Sequence, residues 1–513
     1  MDKKFYITTP IYYPSAKPHM GHAYSSIIAD FFARFKRMDG FDVQFLTGTD
    51  EHGLKIQRSA EKQNIEPLVF CNQISQTFRD LSQTLNLTNT DFIRTTEDRH
   101  KKSVQHLWNE LEKNDDIYLS KYSGWYSVSD ETFYNEDEIE DIDGTKRSIS
   151  SKSSVEWIEE ESYFFRLSKW EKPLLDYYES HPDFIAPDSR KNEVISFVKS
   201  GLKDLSVSRK SFSWGIKVPN NKDHVIYVWL DALTNYISAL NYPDTNNNLF
   251  NTFWPASIHL IGKDILRFHA IYWPAFLLAA KIELPLRVYG HGWILSGEEK
   301  MSKSKGNILD PIKIINEYGL DPLRYYLIKE VSFGNDGNIS QERLKDCINS
   351  DLANNYGNLC QRVTAFAIKN CNGKIPSEIE FKQDDLTILN KYKDNLDKIR
   401  SEIDKQNINF YINYIVNSLF EANKYFNDQE PWNKKDEPVR LNTIVYTTLE
   451  IVRKISYLLN PIIPNSSLRA LKIFDLSHKD IKLETISNNE FLTKGDNINK
   501  IDILFKKIEN KDD

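Results

Sequence analysis

With 513 residues, the chain exceeds what one hydrophobic core organises efficiently, so about three domains are expected. Hydrophobic residues at 40% and charged residues at 27% exclude disorder as a general state. A formal net charge of -7, from 66 basic against 73 acidic residues, excludes a nucleic-acid binder that works through its whole-molecule field, so any RNA contact has to use local basic patches.

Four scattered cysteines, Cys71, Cys347, Cys360 and Cys371, form no C-x2-C pair and no disulfide framework, which fits a reducing compartment. Met1-Asp2-Lys3-Lys4 runs directly into a strand-like Phe5 to Thr9, leaving no room for a signal or transit segment. No apolar run is long enough to span a bilayer, so no membrane role is expected and cytoplasm is the expected location.

Phe5 to Thr9 leads through a Pro-rich loop to a helix predicted from about Gly21 to Lys36, and Asp42 to Thr47 gives a second strand before Gly48-Thr49-Asp50. Two further strands are predicted much later, at Ile258 to Ile261 and Leu286 to Tyr289. Short apolar runs that alternate with helical patterns indicate an α/β fold with a parallel, Rossmann-like sheet, split here by an insertion. From about 114 to 219 the alternation gives way to Tyr/Trp/Ser-rich hairpin-like text, a small mixed insertion in which the charged, then Ser-rich, stretch Glu138 to Lys152 reads as a solvated loop.

Beyond 350 the period is helical. Leu389, Tyr392, Leu396, Ile399 and Ile403 form one stripe; Ile412, Ile415, Leu419, Ala422 and Phe426 form another; Val445, Leu449, Val452, Ile455 and Leu459 form a third, before Pro461 stops it. These are the core stripes of an all-α bundle rather than a cofactor box. Asn497 to Asp513 reads as a charged, fraying end with an amphipathic turn or two.

Two motifs carry chemistry. Pro18-His19-Met20-Gly21-His22 opens the first helix, where backbone N–H groups and the dipole favour an anion, and Gly21 would let a nucleotide lie close to the backbone. Taken alone, it could equally be a helix cap with surface histidines. Far downstream, Lys300-Met301-Ser302-Lys303-Ser304-Lys305-Gly306-Asn307 places three lysines on a Gly/Ser-rich loop that could close over a triphosphate. By itself this cluster reads as a solvated basic turn.

Together, H-x-G-H, K-M-S-K-S some 280 positions later and a split nucleotide fold between them resemble the class I aminoacyl-tRNA synthetases. The segments Thr8-Thr9-Pro10-Ile11-Tyr12-Tyr13-Pro14, Gly48 to Gly53, Tyr227 to Ala232 and Ile261-Gly262-Lys263-Asp264-Ile265 are similar to those of the methionyl-tRNA synthetases. The resemblance covers nearly the whole chain. It implies five parts: 1–113, the first half of the catalytic domain; 114–219, the connective insertion; 220–295, the second half; 296–350, the K-M-S-K-S loop and stem-contact region; and 351–513, a helical anticodon-binding domain.

The resemblance also implies roles for single residues. His19 and His22 would contact ATP phosphates with Gly21 beside them, and Lys300, Ser302 and Lys303 would bind the triphosphate, the two lysines stabilising the α-phosphate transition state and the departing pyrophosphate, with Mg2+ on the nucleotide. Gly262 would bind ATP and Asp264 would hold its ribose, although Asp264 could also be a helix cap. Asp50 would pair with the methionine ammonium, and Ile11, Tyr13, Trp229, Ala232, Tyr236, Ile265 and His269 match the side-chain pocket, where a thioether gains from aromatic edges. Taken singly, each of these aromatics could instead be ordinary core.

Asn358 and Arg362, four apart on one helix face, and Trp432 are similar to the family's anticodon-reading elements, an amide, a guanidinium and a stacking surface for splayed bases. The partners implied are methionine, ATP and the acceptor end and anticodon of tRNA(Met). The departure lies in the insertion. Many relatives bind structural zinc there through cysteine pairs, whereas 114–219 holds no cysteine, so no zinc is expected and packing of Trp125-Tyr126-Ser127-Val128-Ser129-Asp130-Glu131 is expected in its place. A monomer is expected, since no appended dimerisation domain is seen. Another class I synthetase, a small-molecule adenylyltransferase and a tRNA-binding paralogue without activity are the alternatives.

Overall fold

The structure is a computed structural model and describes residues 3–15, 17–128, 130, 132–244, 246, 248–296, 299–300 and 310–509. The chain divides into two compact units, one of Lys4–Ala29 and Val43–His291, the other of Met1–Lys3, Asp30–Asp42 and Gly292–Asp513.

The first unit is built on a six-stranded sheet in the order Asp91–Arg94, Asp42–Thr49, Lys4–Thr8, Ile258–Gly262, Val288–His291, Ile185–Ala186. The pairings along it are parallel: Ile7 faces Ile258, His259 faces Val288 and Val288 faces Ile185. Phe5 to Thr8 and Ile258 to Ile261 are buried residue after residue, as parallel strands covered on both faces require. The first two strands and the helix Met20–Met38 lie where the sequence placed them, within a few residues.

The last predicted strand shifts by two residues, from Leu286–Tyr289 to Val288–His291, because Leu286 is an exposed apolar residue outside the ladder. Two strands carried no signal. Asp91–Arg94 is half charged, and Ile185–Ala186 is only two residues long and falls inside the stretch read as insertion.

The stretch read as insertion contains a four-stranded antiparallel sheet dominated by the long pair Ile117–Ser127 and Glu156–Phe165. Glu138 to Lys152 is not a plain loop. It contains the hairpin Ile139–Ile142/Thr145–Ser148, turned by Asp143 and Gly144, both at positive φ (52° and 76°). An Asp-Gly pair between two short strands is a turn signal that the high charge of this stretch concealed.

In the second unit, helices Gln383–Asp394, Leu396–Asp404, Ile408–Asp428 and Pro438–Leu459 carry the three apolar stripes, and all fifteen stripe residues are buried. The first stripe crosses a break at Asn395. The end of the chain differs from the expected amphipathic turn. Through Glu509 it has no helix; its backbone is held by side chains instead, Asn349 bonding Ile508 in both directions and Gln361 donating to the Ile501 carbonyl, with Leu504 and Phe505 buried. No helix of the described residues is long and apolar enough to cross a membrane.

Candidate active site

The first strand ends at Thr8, and the chain turns alongside the end of Asp42–Thr49: Tyr12 N–H donates to the Gly48 carbonyl (2.8 Å) and Asp50 N–H to the Tyr12 carbonyl (3.0 Å). This brings Ile11, Tyr13 and Asp50 to the carboxyl ends of neighbouring parallel strands, where open α/β sheets bind ligands.

His19 caps the helix Met20–Met38, its carbonyl accepting from the N–H groups of His22 and Ala23. Both imidazoles are fixed by backbone amides: His19 N–H donates to His22 Nδ1 and Gly21 N–H to His19 Nδ1, each at 3.1 Å. A ring nitrogen that accepts from an amide is unprotonated, so in the neutral imidazole Nε2 carries the proton. Burial, with His19 alongside, holds the His22 pKa well below its usual value. His22 therefore presents a neutral N–H donor, not a cation, to an anion, with the Nε2 edge of His19 beside it. A Cβ on Gly21 would sit 3.0 Å from the His19 ring, so the glycine is what allows the imidazole to fold over the turn.

The Gly262–Asp264 turn is tied to this one through residues that the sequence did not single out. Ser25 Oγ donates to the Gly21 carbonyl (3.2 Å) and lies 2.7 Å from His291 Nε2. A Cβ on Gly262 would come 2.6 Å from Asp264 Oδ1 and 4.0 Å from the same His291 ring. Asp264 is exposed on its short 3-10 turn.

The residues expected to line a side-chain pocket form a second connected set. Tyr236 Oη is 2.6 Å from His269 Nε2, and His269 Nδ1 is 2.9 Å from the Ile265 carbonyl. A carbonyl only accepts, so Nδ1–H is the donor and Nε2 takes the Tyr236 hydroxyl proton. Behind them, Trp273 donates to His259 Nε2 at 3.3 Å, leaving His259 Nδ1–H for Thr8 Oγ1 at 2.8 Å. Burial lowers the His269 pKa to about 4 and puts His259 well below the usual histidine value. His269 sits in a π-helical turn, Phe268–Tyr272, which places Phe268 flat against Trp229 at 3.5 Å between ring centroids. Ile11, Trp229 and Ile265 pack on the same core as Tyr236, and Ala232 is buried.

Tyr13 belongs to a third set, donating its hydroxyl to the His52 carbonyl at 3.2 Å. His52 Nδ1 and His100 Nε2 grip the two oxygens of Asp231 at 2.7 and 2.8 Å. Burial alone would raise the Asp231 pKa, but His52 and His100 outweigh it and bring it to about 2, so the carboxylate is ionised. Neither His100 nor Asp231 was selected from sequence; a histidine in Asp98–Lys113 has no local mark of its partner 131 positions away.

Of the lysine-rich loop, Lys300 closes a strand pairing with Leu295, and Ser302 and Lys303 lie outside the described residues. In the second unit, Asn358 is exposed and Arg362 half-buried on helix Asn358–Asn370. Arg362 donates to Asn427 Oδ1 at 2.7 Å and lies 5.6 Å from the Phe426 ring, which meets Trp432 edge to face at 6.2 Å.

In the insertion, Tyr126 packs with Phe212, Val225 and Tyr227, and Asp130 accepts from Tyr134 (2.8 Å), Ser151 (2.5 Å) and Ser153; Ser129 and Glu131 are outside the described residues. Among the described residues no cluster of three or more His, Cys, Asp or Glu side chains could hold a metal ion.

A parallel sheet with paired histidines at its first helix and the Gly262–Asp264 turn at the end of Ile258–Gly262 fits a class I aminoacyl-tRNA synthetase, and the family model described as tRNA synthetases class I (M) matches residues 5–145 and 140–364. A second model, the anticodon binding domain of methionyl tRNA ligase, matches 375–513. The methionine–tRNA ligase of Rickettsia conorii is 49% identical over 99% of this chain and 100% of its own length, and that of Brucella suis is 49% identical over 92% of each. Mycobacterium tuberculosis methionyl-tRNA synthetase, solved in complex with methionyl-adenylate, superposes with a TM-score of 0.95 at 44% identity, covering 98% of this chain and 99% of that one; its apo form gives 0.90 at 41% identity, covering 99% of each. The chain belongs to the methionyl-tRNA synthetase family.

Proposed function

We propose that this protein activates methionine with ATP, forming methionyl-adenylate and pyrophosphate, and then transfers the methionyl group to the 3'-terminal ribose of tRNA(Met). The observation that carries the reading is the joining of the His19–His22 turn to the Gly262–Asp264 turn through Ser25 and His291, beside the Tyr236–His269 pair. A nucleotide bridging the two turns would have its α-phosphate near the pocket mouth. The family match over the whole chain, and a relative solved with methionyl-adenylate, support the same chemistry.

In this mechanism Asp50 pairs with the ammonium, strongly because it is buried. The thioether chain lies among Ile11, Tyr13, Trp229, Ala232, Tyr236, Ile265 and His269. The methionine carboxylate attacks the α-phosphorus of ATP, which enters as its Mg2+ complex, and the bond to the β-phosphate oxygen breaks. His19 and His22 donate Nε2–H to phosphate oxygens, Gly21 and Gly262 keep the approach open, and Asp264 accepts from the ribose hydroxyls. Lys300, Ser302 and Lys303 take the charge that develops on the leaving pyrophosphate. Asn358, Arg362 and Trp432 hold the anticodon bases.

Amino-acid-dependent ATP–pyrophosphate exchange with each of the twenty amino acids tests the proposal. Methionine alone is expected to support exchange at full rate; exchange with another amino acid at a higher kcat/KM, or with none, overturns it.

A further inference from the structure

Asp50 is followed by two residues, Glu51 and His52, whose side chains take different partners. Glu51 receives both Arg94 nitrogens (2.6 and 2.9 Å), the Ser75 hydroxyl and the Thr96 hydroxyl (2.5 Å), while its own N–H donates to Thr95 Oγ1 at 2.9 Å. These partners fix the loop to the strand Asp91–Arg94 and the helix Pro67–Thr84.

His52 instead reaches 179 positions along the chain to Asp231. Asp231 precedes Ala232 and follows Trp229 by two residues. Through His100, whose Nδ1 lies 2.8 Å from Ser238 Oγ, the same network reaches the turn of helix that carries Tyr236. Asp231 is 1% exposed, both its oxygens are taken, and a buried ionised carboxylate tolerates no loosening of its partners.

We infer that Asp231 is a positioning residue of the amino-acid site: its grip on His52 and His100 sets the separation between Asp50 and the Trp229–Tyr236 wall. This rests on the proposed methionine site, and it adds why that site holds its length. An amino acid bound at its ammonium and at its side-chain end has a fixed span, so a displacement of one wall against the other weakens both contacts at once. Glu51 anchors the loop to Asp91–Arg94 and Pro67–Thr84, and Asp231 links it to the side-chain wall.

Asp231→Asn keeps the volume but offers one acceptor where two N–H groups point. In the full-length enzyme it is expected to raise the KM for methionine roughly tenfold to a hundredfold while the KM for ATP stays within about twofold. Norleucine, which has the same length and no sulfur, is expected to weaken by the same factor, because the defect lies in spacing rather than in a sulfur contact. Ser238→Ala removes only the far end of the network and is expected to shift the methionine KM in the same direction by less.

Equal changes in both KM values, or unchanged methionine KM in a protein that melts like the parent, overturn the inference. If Asp231→Asn does not fold, Ser238→Ala decides alone: an unchanged methionine KM there overturns it. An Asp50→Asn enzyme with an unchanged methionine KM sinks the reading of Asp50 itself, separately from any effect of Asp231.

Discussion

The candidate amino-acid site and the Asn358–Arg362–Trp432 surface use polar and aromatic side chains in opposite ways. Around Asp50, nearly every polar atom is spent on the protein: His52 and His100 on Asp231, Tyr236 on His269, His259 on Thr8. On helix Asn358–Asn370 and the turn at Trp432 the groups face water, Asn358 exposed and Trp432 40% exposed. Each kind of surface suits a different ligand. A small ligand is recognised by a preorganised cavity whose donors and acceptors are already fixed, whereas single-stranded bases are captured on open stacking surfaces. Damage to the first kind of site should therefore reach every step, and damage to the second only the step that uses RNA.

The sharpest break in that comparison comes from the lysine-rich loop. Lys303→Ala removes a charge proposed to act on the α-phosphate transition state and the departing pyrophosphate, so kcat for exchange is expected to fall about 10²–10³-fold with methionine affinity largely intact. Exchange at the parental rate, measured with saturating methionine and ATP, removes Lys303 from the mechanism.

Trp432→Ala is expected to do the reverse. Exchange without tRNA should be unchanged, while kcat/KM for aminoacylation falls by about 1–3 kcal/mol of lost base stacking, roughly tenfold to a hundredfold. Loss of exchange in this variant would mean that the exposed tryptophan acts on the catalytic unit's stability, and the contrast between the two regions would fail. Arg362, already bonded to Asn427 and beside Phe426, should give a smaller effect on substitution, because part of its hydrogen-bonding capacity is used within the protein.

These regions were also unequally legible in the sequence. Strands such as Ile258–Gly262 announced themselves because a parallel strand covered on both faces must be apolar throughout, and His19–His22 did so because cap, glycine and histidines are contiguous. Ile185–Ala186 could not, since two residues carry no period, and the Asp143-Gly144 hairpin was hidden under its charges. The His52–Asp231–His100 network was hidden for a different reason: its members are 131 and 179 positions apart, and each sits in a local pattern that a surface residue would share. Pairing of buried polar groups is a property of the fold, while the apolar period is a property of the segment.

The mildest prediction separates the buried histidines His22, His259 and His269 from the Asp231 carboxylate by pH. The His269 pKa of about 4, and the depressed values of His22 and His259, mean that the unfolded chain binds more protons than the native protein between that value and about 6.5, where a free histidine titrates. Stability is thus fully present above about pH 6.5 and declines as pH falls towards 4, the His269 share amounting to at most about 3 kcal/mol. Asp231 acts in a lower window: its folded pKa of about 2 lies below its ordinary value, so its contribution survives that first decline and is lost only as pH falls below about 4. Thermal melting at steps from pH 8 to pH 3 should show two successive losses. His269→Gln should flatten the first and leave the second, and an unaltered first limb in that variant would show that the histidine is not held neutral by its burial. Asn358 and Trp432 carry no titratable group, so their part in tRNA recognition should follow pH only through the stability of the protein.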